Sequence, residues 1–237
     1  MQPLRIFIGY DSREPDAYDV CARSLRERSS VPLAISAVKQ DRLRLRGVYT
    51  RDPAEKASTE FALTRFLVPH LTDYKGYALF MDCDFLWRAD VCDLFDLADA
   101  TKAVSVVQHD YTPRAQWKMD GQPNVAYPRK NWSSLMLFNC QHPNVRELTP
   151  EVVNSRSPSW LHQFSWCGDD EIGALPQEWN WLEGEYEWPH DGTTPAAIHF
   201  TNGGPWFADH RSVRFGDLWE YELLMLRQEQ PLTPTIK

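Results

Sequence analysis

Tyr77-Ala78-Leu79-Phe80-Met81-Asp82-Cys83-Asp84 is the stretch on which the fold turns. Five residues of apolar, strand-length chain stop abruptly at two carboxylates, which predicts a buried strand ending at a polar edge. Side chains alternate along extended chain, so Asp82 and Asp84 share a face with Cα atoms ~6.6 Å apart. Two carboxylates so placed repel each other, and a divalent cation relieves the repulsion; hard oxygen ligands suit Mn²⁺ or Mg²⁺. Open α/β sheets bind ligands at the carboxyl ends of their strands, where this pair stands. Cys83 points the other way, into the core, with no chemical role. The plainer reading is a pair of surface acids capping the next turn.

Working outward, Leu4 to Tyr10, Leu33 to Val38, Ala103 to Val107, Ser134 to Phe138 and Ala196 to Phe200 read as further short strands. Helical spacing runs from Asp16 to Arg28, with Tyr18, Val20, Cys21 and Leu25 on one side. It recurs from Phe215 to Arg227 through Leu218, Tyr221, Leu224 and Met225. Ser58-Thr59 offers an N-cap for a helix to about His70, ended or kinked by Pro69. Asp90 to Leu97 reads as a short helix and 141–165 as two more. Residues 39–57 and 110–130 read as loops. Strands alternating with helices predict an α/β fold whose central, mostly parallel sheet is flanked by helices. One domain over 1–227 is expected, with a disordered tail at 228–237.

Composition narrows the function. Among 237 residues, 25 are basic and 33 acidic, a net charge of −8. That argues against nucleic acid as a partner, since such binding rests on neutralising phosphates with Lys and Arg. A nucleotide in a local basic pocket remains compatible. No run approaches 18 apolar residues, and the opening Met1 to Ile6 lacks the pattern of a signal peptide. Five widely spaced cysteines form no C-x-x-C pair and indicate neither a zinc ribbon nor a disulfide framework. A reducing cytosol is the simplest home, and peripheral association with the inner face of a membrane is compatible with it. Ten tryptophans stand out; stacked indoles line many carbohydrate sites, and core packing is the plainer account.

His199 is the second chemical candidate. It ends a short strand and precedes Phe200-Thr201-Asn202-Gly203-Gly204-Pro205-Trp206. A neutral imidazole makes a good third ligand for Mn²⁺, and Gly203-Gly204 would allow close backbone approach to an anion. The alternative is a hydrogen-bonded core histidine.

Together these segments resemble the nucleotide-sugar glycosyltransferases of the GT-A fold, and most of all glycosyltransferase family 8, which includes lipopolysaccharide galactosyl- and glucosyltransferases and glycogenin. Ile6-Phe7-Ile8-Gly9-Tyr10-Asp11 resembles the first strand, whose end contacts uracil. Phe61 to Pro69 resembles the helix whose arginine, here Arg65, approaches the sugar nucleotide. Leu79 to Leu86 resembles the metal motif, and Ile198 to Trp206 the late His-Phe-x-Gly-x-x-Pro-Trp segment, whose histidine is the third metal ligand. The four stand in family order across residues 4–206. Two positions depart: Gly204 replaces the usual diphosphate lysine, and Asn131-Trp132-Ser133-Ser134 replaces a Phe-Asn-x-Gly strand opening.

The resemblance implies a metal-dependent, retaining transfer of a hexose from a UDP-sugar donor to a saccharide, glycolipid or other hydroxyl acceptor. Asp82, Asp84 and His199 would hold the metal. Tyr10, Asp11, Arg65, Asp82, Gly203 and Gly204 would line the nucleotide, although Asp11 before Ser12 also suits a turn. Arg65 would stabilise the leaving phosphate. Asp169-Asp170-Glu171 loosely resembles the family's Asp-Gln-Asp segment, so Asp169 or Asp170 would serve the donor sugar; a solvated helix start is the alternative. Trp179, Trp181 and Trp188 are candidates for an acceptor platform. Rival readings are a nucleotidyltransferase, which lacks its Gly-rich loop after Asp11, and a glycan-binding module with structural acids.

Overall fold

The computed structural model describes residues 2–55, 57–114, 127–187 and 194–229. The N-terminal part comprises β1 (Leu4–Gly9), α1 (Pro15–Arg28), β2 (Leu33–Val38), α2 (Gln40–Leu45), α3 (Val68–Leu71), β3 (Tyr77–Met81), β4 (Phe85–Trp87), α4 (Val91–Phe95) and β5 (Val104–Val107). There follow β6 (Leu135–Asn139), α5 (Pro143–Arg146), α6 (Pro150–Ser155), α7 (Pro158–His162), β7 (Ile172–Leu175), β8 (Trp181–Leu182), β9 (Ala197–His199) and α8 (Gly216–Glu229).

Six strands form one sheet in the order β2-β1-β3-β6-β5-β7. The pairs β1–β2, β1–β3 and β5–β7 are parallel, while β6 is antiparallel to both β3 and β5. Five strands therefore run one way and β6 alone runs back, so the sheet is mostly parallel, as expected. Its inner strands are apolar runs buried on both faces, which is what helix-covered sheets require. A second sheet, β4-β9-β8, is built from strands of two or three residues. The chain crosses from the first sheet to the second at Asp82-Cys83-Asp84, between β3 and β4.

Helix α1 starts on Pro15, whose missing N–H costs nothing in a first turn. It buries Ala17, Val20, Cys21, Ser24 and Leu25 at helical spacing. Its Arg23, also buried, bonds Glu222 of α8, and Glu222 takes a second bond from Arg28 at 2.6 Å. This ion cluster sets the rotation of α8: Trp219 and Glu222 face inward, while Tyr221 and Leu224, expected on the apolar side, are exposed.

Other expectations are corrected. In place of a continuous helix from 59 to 70, the chain makes turns, a 3₁₀ segment at Thr64–Leu67 and one turn of α-helix, α3. Bonds of the i to i+3 kind (Ala62 N to Thr59 O, Phe66 N to Leu63 O) tighten this stretch, and Pro69 lacks a donor. The loop expected at 39–57 contains α2, and 141–165 holds three short helices, not two. Strands β4, β7 and β8 were too short to give a periodic signal. Residues 115–126 of the long loop and 230–237 of the expected tail lie outside the described residues; Gln228 and Glu229 belong to α8. No helix among the described residues is long and apolar enough to cross a membrane.

Candidate active site

The crossover between the sheets builds the site. Asp82 leaves β3 with its N–H bonded to Ser134 O at 2.9 Å. Two residues on, Asp84 O accepts from Phe200 N at 3.0 Å, and β4 pairs antiparallel with β9 so that Phe85 sits opposite His199. This register brings the C-terminal end of β9 beside the acidic pair. One ligand atom from each of Asp82, Asp84 and His199 lies within 4.8 Å of the others. His199 Nε2 is 3.3 Å from Asp84 Oδ2. Cys83 faces the core, as expected.

The imidazole is held from two sides. Phe85 stacks on it with ring centroids 4.5 Å apart. Nδ1 donates to Asn180 Oδ1 at 2.9 Å, Asn180 Nδ2 donates to Ser134 Oγ at 2.8 Å, and Ser134 Oγ donates to Asn131 O at 2.6 Å. A proton on Nδ1 leaves the Nε2 lone pair facing the carboxylates.

Arg65 is buried between the rings of Phe61 and Phe80, 5.3 and 5.1 Å from their centroids. Its Nε donates to Ala62 O and one terminal nitrogen to Ser133 O, and that nitrogen also lies 2.7 Å from Asp82 Oδ1. Burial pushes the Asp82 carboxyl up to about 6; Arg65 pulls it down, Asp84 raises it and His199 lowers it. Asp84 Oδ1 is buried without a hydrogen-bond partner among the described residues. Two carboxylates and an imidazole, one oxygen unsatisfied, fit a divalent cation of the Mn²⁺ or Mg²⁺ kind.

Glu14 is a part that sequence reasoning missed. It is buried, accepts from Trp206 Nε1 at 3.1 Å, and so ties the loop after β1 to the loop after β9. Burial, with Asp84 and Asp11 nearby, pushes its carboxyl up to about 8. Asn180, Ser133 and Ser134 were missed too, since isolated polar residues among aromatics carry no motif.

The other candidates fall as follows. Asp11 is fully buried; Arg13 bonds its carboxylate at 2.6, 2.9 and 3.0 Å, and Glu60 N adds a bond at 3.2 Å. Burial would raise its pKa, but the bonds from Arg13 and Glu60 hold it below the usual range. Here it shapes the turn, the alternative the sequence held open. Tyr10 is half-buried, edge-on to Tyr18 at 5.5 Å and under Lys39 Nζ at 3.8 Å. At Gly203 and Gly204 an added Cβ would meet the His210 ring at 3.1 Å and the Trp206 ring at 2.0 Å, so packing requires glycine at both, and the Gly203 N–H is bonded to Phe200 O at 2.9 Å. Gly203 also has φ +114°, which a side chain would strain.

Asp169 and Asp170 lead into β7 at the end of the sheet where that strand starts. Glu171 O accepts from Ala103 N, and Ala103 O from Asn139 N, on the row that continues to Tyr77 at the start of β3. The acidic pair of the site begins at Asp82, roughly 17 Å further along the strand. Asp169 is exposed and paired with Arg129. Trp179 packs in the core against Trp87 at 5.8 Å and offers no acceptor platform. Trp181 borders a cavity together with Glu183 and Tyr186, and Trp188 lies outside the described residues.

Comparisons with known proteins agree with this geometry. No family model matches the chain. Protein CDI of Arabidopsis thaliana is 50% identical over 224 residues, covering 94% of this chain and 86% of that protein. Among solved structures, WbbM, a bifunctional glycosyltransferase, aligns with TM-score 0.63 and 15% identity over 96% of this chain and 52% of its own. The glycosyltransferase GlyE of Streptococcus pneumoniae TIGR4 aligns with TM-score 0.63 and 14% identity over 96% and 63%. The galactosyltransferase LgtC, solved with donor and acceptor sugar analogs, aligns with TM-score 0.58 and 11% identity over 97% and 98%. The chain thus spans about half of WbbM and less than two thirds of GlyE. At these identities the likeness is one of fold: the chain has the GT-A fold.

Proposed function

The chain belongs to the family of Arabidopsis thaliana protein CDI, and on that premise, with its GT-A fold, we propose that it is a metal-dependent, retaining glycosyltransferase that moves a hexose from a UDP-sugar to a hydroxyl of a saccharide or glycolipid. The observation that carries this reading is the meeting of Asp82, Asp84 and His199 at the carboxyl end of β3. Ligands of α/β sheets bind at that end. Asp82, Asp84 and His199 would hold Mn²⁺ or Mg²⁺, and the bound ion would neutralise charge developing on the diphosphate leaving group.

The protein's own groups do the rest. Asn180 and Phe85 fix the His199 ring with Nε2 toward the acids. Arg65 acts through Asp82, holding that carboxylate charged and in place. Tyr10 stands at the end of β1, beside the edge where the base would lie. In the transfer, the acceptor oxygen bonds to the anomeric carbon as the bond from that carbon to the β-phosphate oxygen breaks. The electron pair stays on the phosphate oxygen, which takes the acceptor's proton. Front-face attack of this kind needs no carboxylate nucleophile, in keeping with the remote position of Asp169 and Asp170.

The test is UDP release from a panel of UDP-sugars, with Mn²⁺ and with chelator. Release from at least one donor, lost with chelator and in Asp84→Asn, supports the reading. Release from none, or release indifferent to metal and to Asp84→Asn, overturns it.

A further inference from the structure

A cavity of about 200 Å³ lies one strand away from His199. Strand β8 pairs with β9, Trp181 beside Ile198 and Leu182 beside His199, and Glu183 N then bonds His199 O at 2.9 Å. Trp181 and Glu183 border the cavity, so its wall is built on β8, the strand beside the one that presents the imidazole.

Three aromatic residues line it: Trp181, Tyr186 and Phe215. Trp181 meets Tyr186 edge-on at 5.4 Å, and the Tyr186 hydroxyl lies 2.6 Å from His109 Nδ1. His109 is itself buried, which fixes the phenol from behind. Phe215 holds φ +65°, a left-handed conformation that is uncommon for a bulky residue. Strain at a cavity wall, kept in place by the surrounding fold, is a mark of ligand sites.

The polar groups of the lining bond one another, one pair through charge and one through a backbone N–H. Arg114 reaches Glu187 at 2.9 Å, and Arg214 N donates to Glu183 at 3.2 Å. Two arginines and two glutamates leave the lining with no net charge, which disfavours an anionic or cationic ligand. Glu185 bonds both Arg114 N and Asn202 Nδ2 at 2.8 Å, pinning this loop to the turn after His199. Aromatic faces suit the C–H faces of a sugar, and fixed carboxylates and guanidinium groups suit its hydroxyls, which both donate and accept.

We infer that the Trp181–Tyr186–Phe215 cavity is the acceptor subsite and takes a neutral sugar ring. The inference rests on the glycosyltransferase reading for the word acceptor, and on the cavity alone for the saccharide.

The test is an NMR saturation-transfer titration of the full chain with methyl glucoside and methyl galactoside, with glucuronate as the charged comparator. Phe215→Gly removes one wall and suits the positive φ; Glu187→Gln alters the exposed rim and decides the matter if Phe215→Gly does not fold. The expected result is saturable binding of a neutral hexoside, tighter than glucuronate and weakened at least fivefold by a folded variant. Unchanged affinity in the deciding variant, preference for glucuronate, or no saturable hexoside binding overturns it. Calorimetry of UDP with Mn²⁺ on the same samples separates the two readings. Hexoside binding without UDP binding leaves the saccharide cavity standing and sinks the transferase, and the reverse sinks the cavity.

Discussion

Asn180 Oδ1 accepts the Nδ1 proton of His199 at 2.9 Å, so an amide 19 residues earlier in the chain decides which imidazole nitrogen faces Asp84. Partners of this kind fix ring orientation and ligand basicity, and their loss typically costs 10–100-fold in metal affinity. Asn180→Ala is expected to weaken Mn²⁺ binding by about that factor, read by the electron paramagnetic resonance signal of free Mn²⁺. Asn180→Asp, which keeps the acceptor, is expected to recover most of it.

Protons compete with the metal at Asp82. Its carboxyl is pushed up to about 6 by burial, despite Arg65. Below that pH it carries a proton that a cation must displace, so Mn²⁺ affinity is expected to fall by about tenfold per pH unit from pH 6 downward and to level off above it. A flat profile between pH 5 and 7.5 would contradict this.

Glu14 links stability to pH in the opposite sense from most carboxylates. Its pKa is raised from 4.5 to about 8 on folding, chiefly by burial. Between those values the native state holds a proton that the unfolded chain has released. Stability from Glu14 is therefore full below the unfolded value and is lost as pH rises through about 8. Glu14→Gln is expected to flatten the decline in melting temperature between pH 6 and 9, measured without metal.

Removing Arg65 leaves Asp82 beside Asp84 without its cation. Arg65→Ala is expected to destabilise the metal-free protein by about 3 kcal/mol, the order found for broken buried pairs. Added Mn²⁺ should restore part of the melting temperature, because the ion supplies the missing charge.

Asp169→Asn and Asp170→Asn are expected to change Mn²⁺ and UDP affinity by less than twofold, since both acids sit at the other end of the sheet. Loss of the Asp169 pair with Arg129 should cost at most about 1 kcal/mol. A tenfold loss of UDP binding in either variant would return these acids to the site.

What could be read from the sequence was whatever is local. Tyr77 to Met81 is apolar at strand length and stops at two acids, so both the strand and the side-chain pair were visible. His199 showed through its position after a short strand and through the Gly-Gly-Pro-Trp stretch behind it. What failed was what depends on register. The acids Asp169 and Asp170 were legible as acids, but only the β5–β7 pairing shows which end of the sheet they occupy. Tyr221 and Leu224 fit an apolar helix face until Arg23 claims Glu222 and turns α8 the other way. Asn180 sits among Trp179 and Trp181 with no spacing to mark it, and its role exists only because β8 and β9 lie side by side.

The claim on which the rest depends is that Asp82, Asp84 and His199 together hold a cation that a uridine diphosphate requires. Calorimetric titration of UDP into the protein, with Mn²⁺ and then with chelator, tests it most directly. The expected result is saturable binding with Mn²⁺ that falls at least tenfold with chelator and in Asp84→Asn. Equal UDP affinity under all three conditions, or none under any, would contradict it.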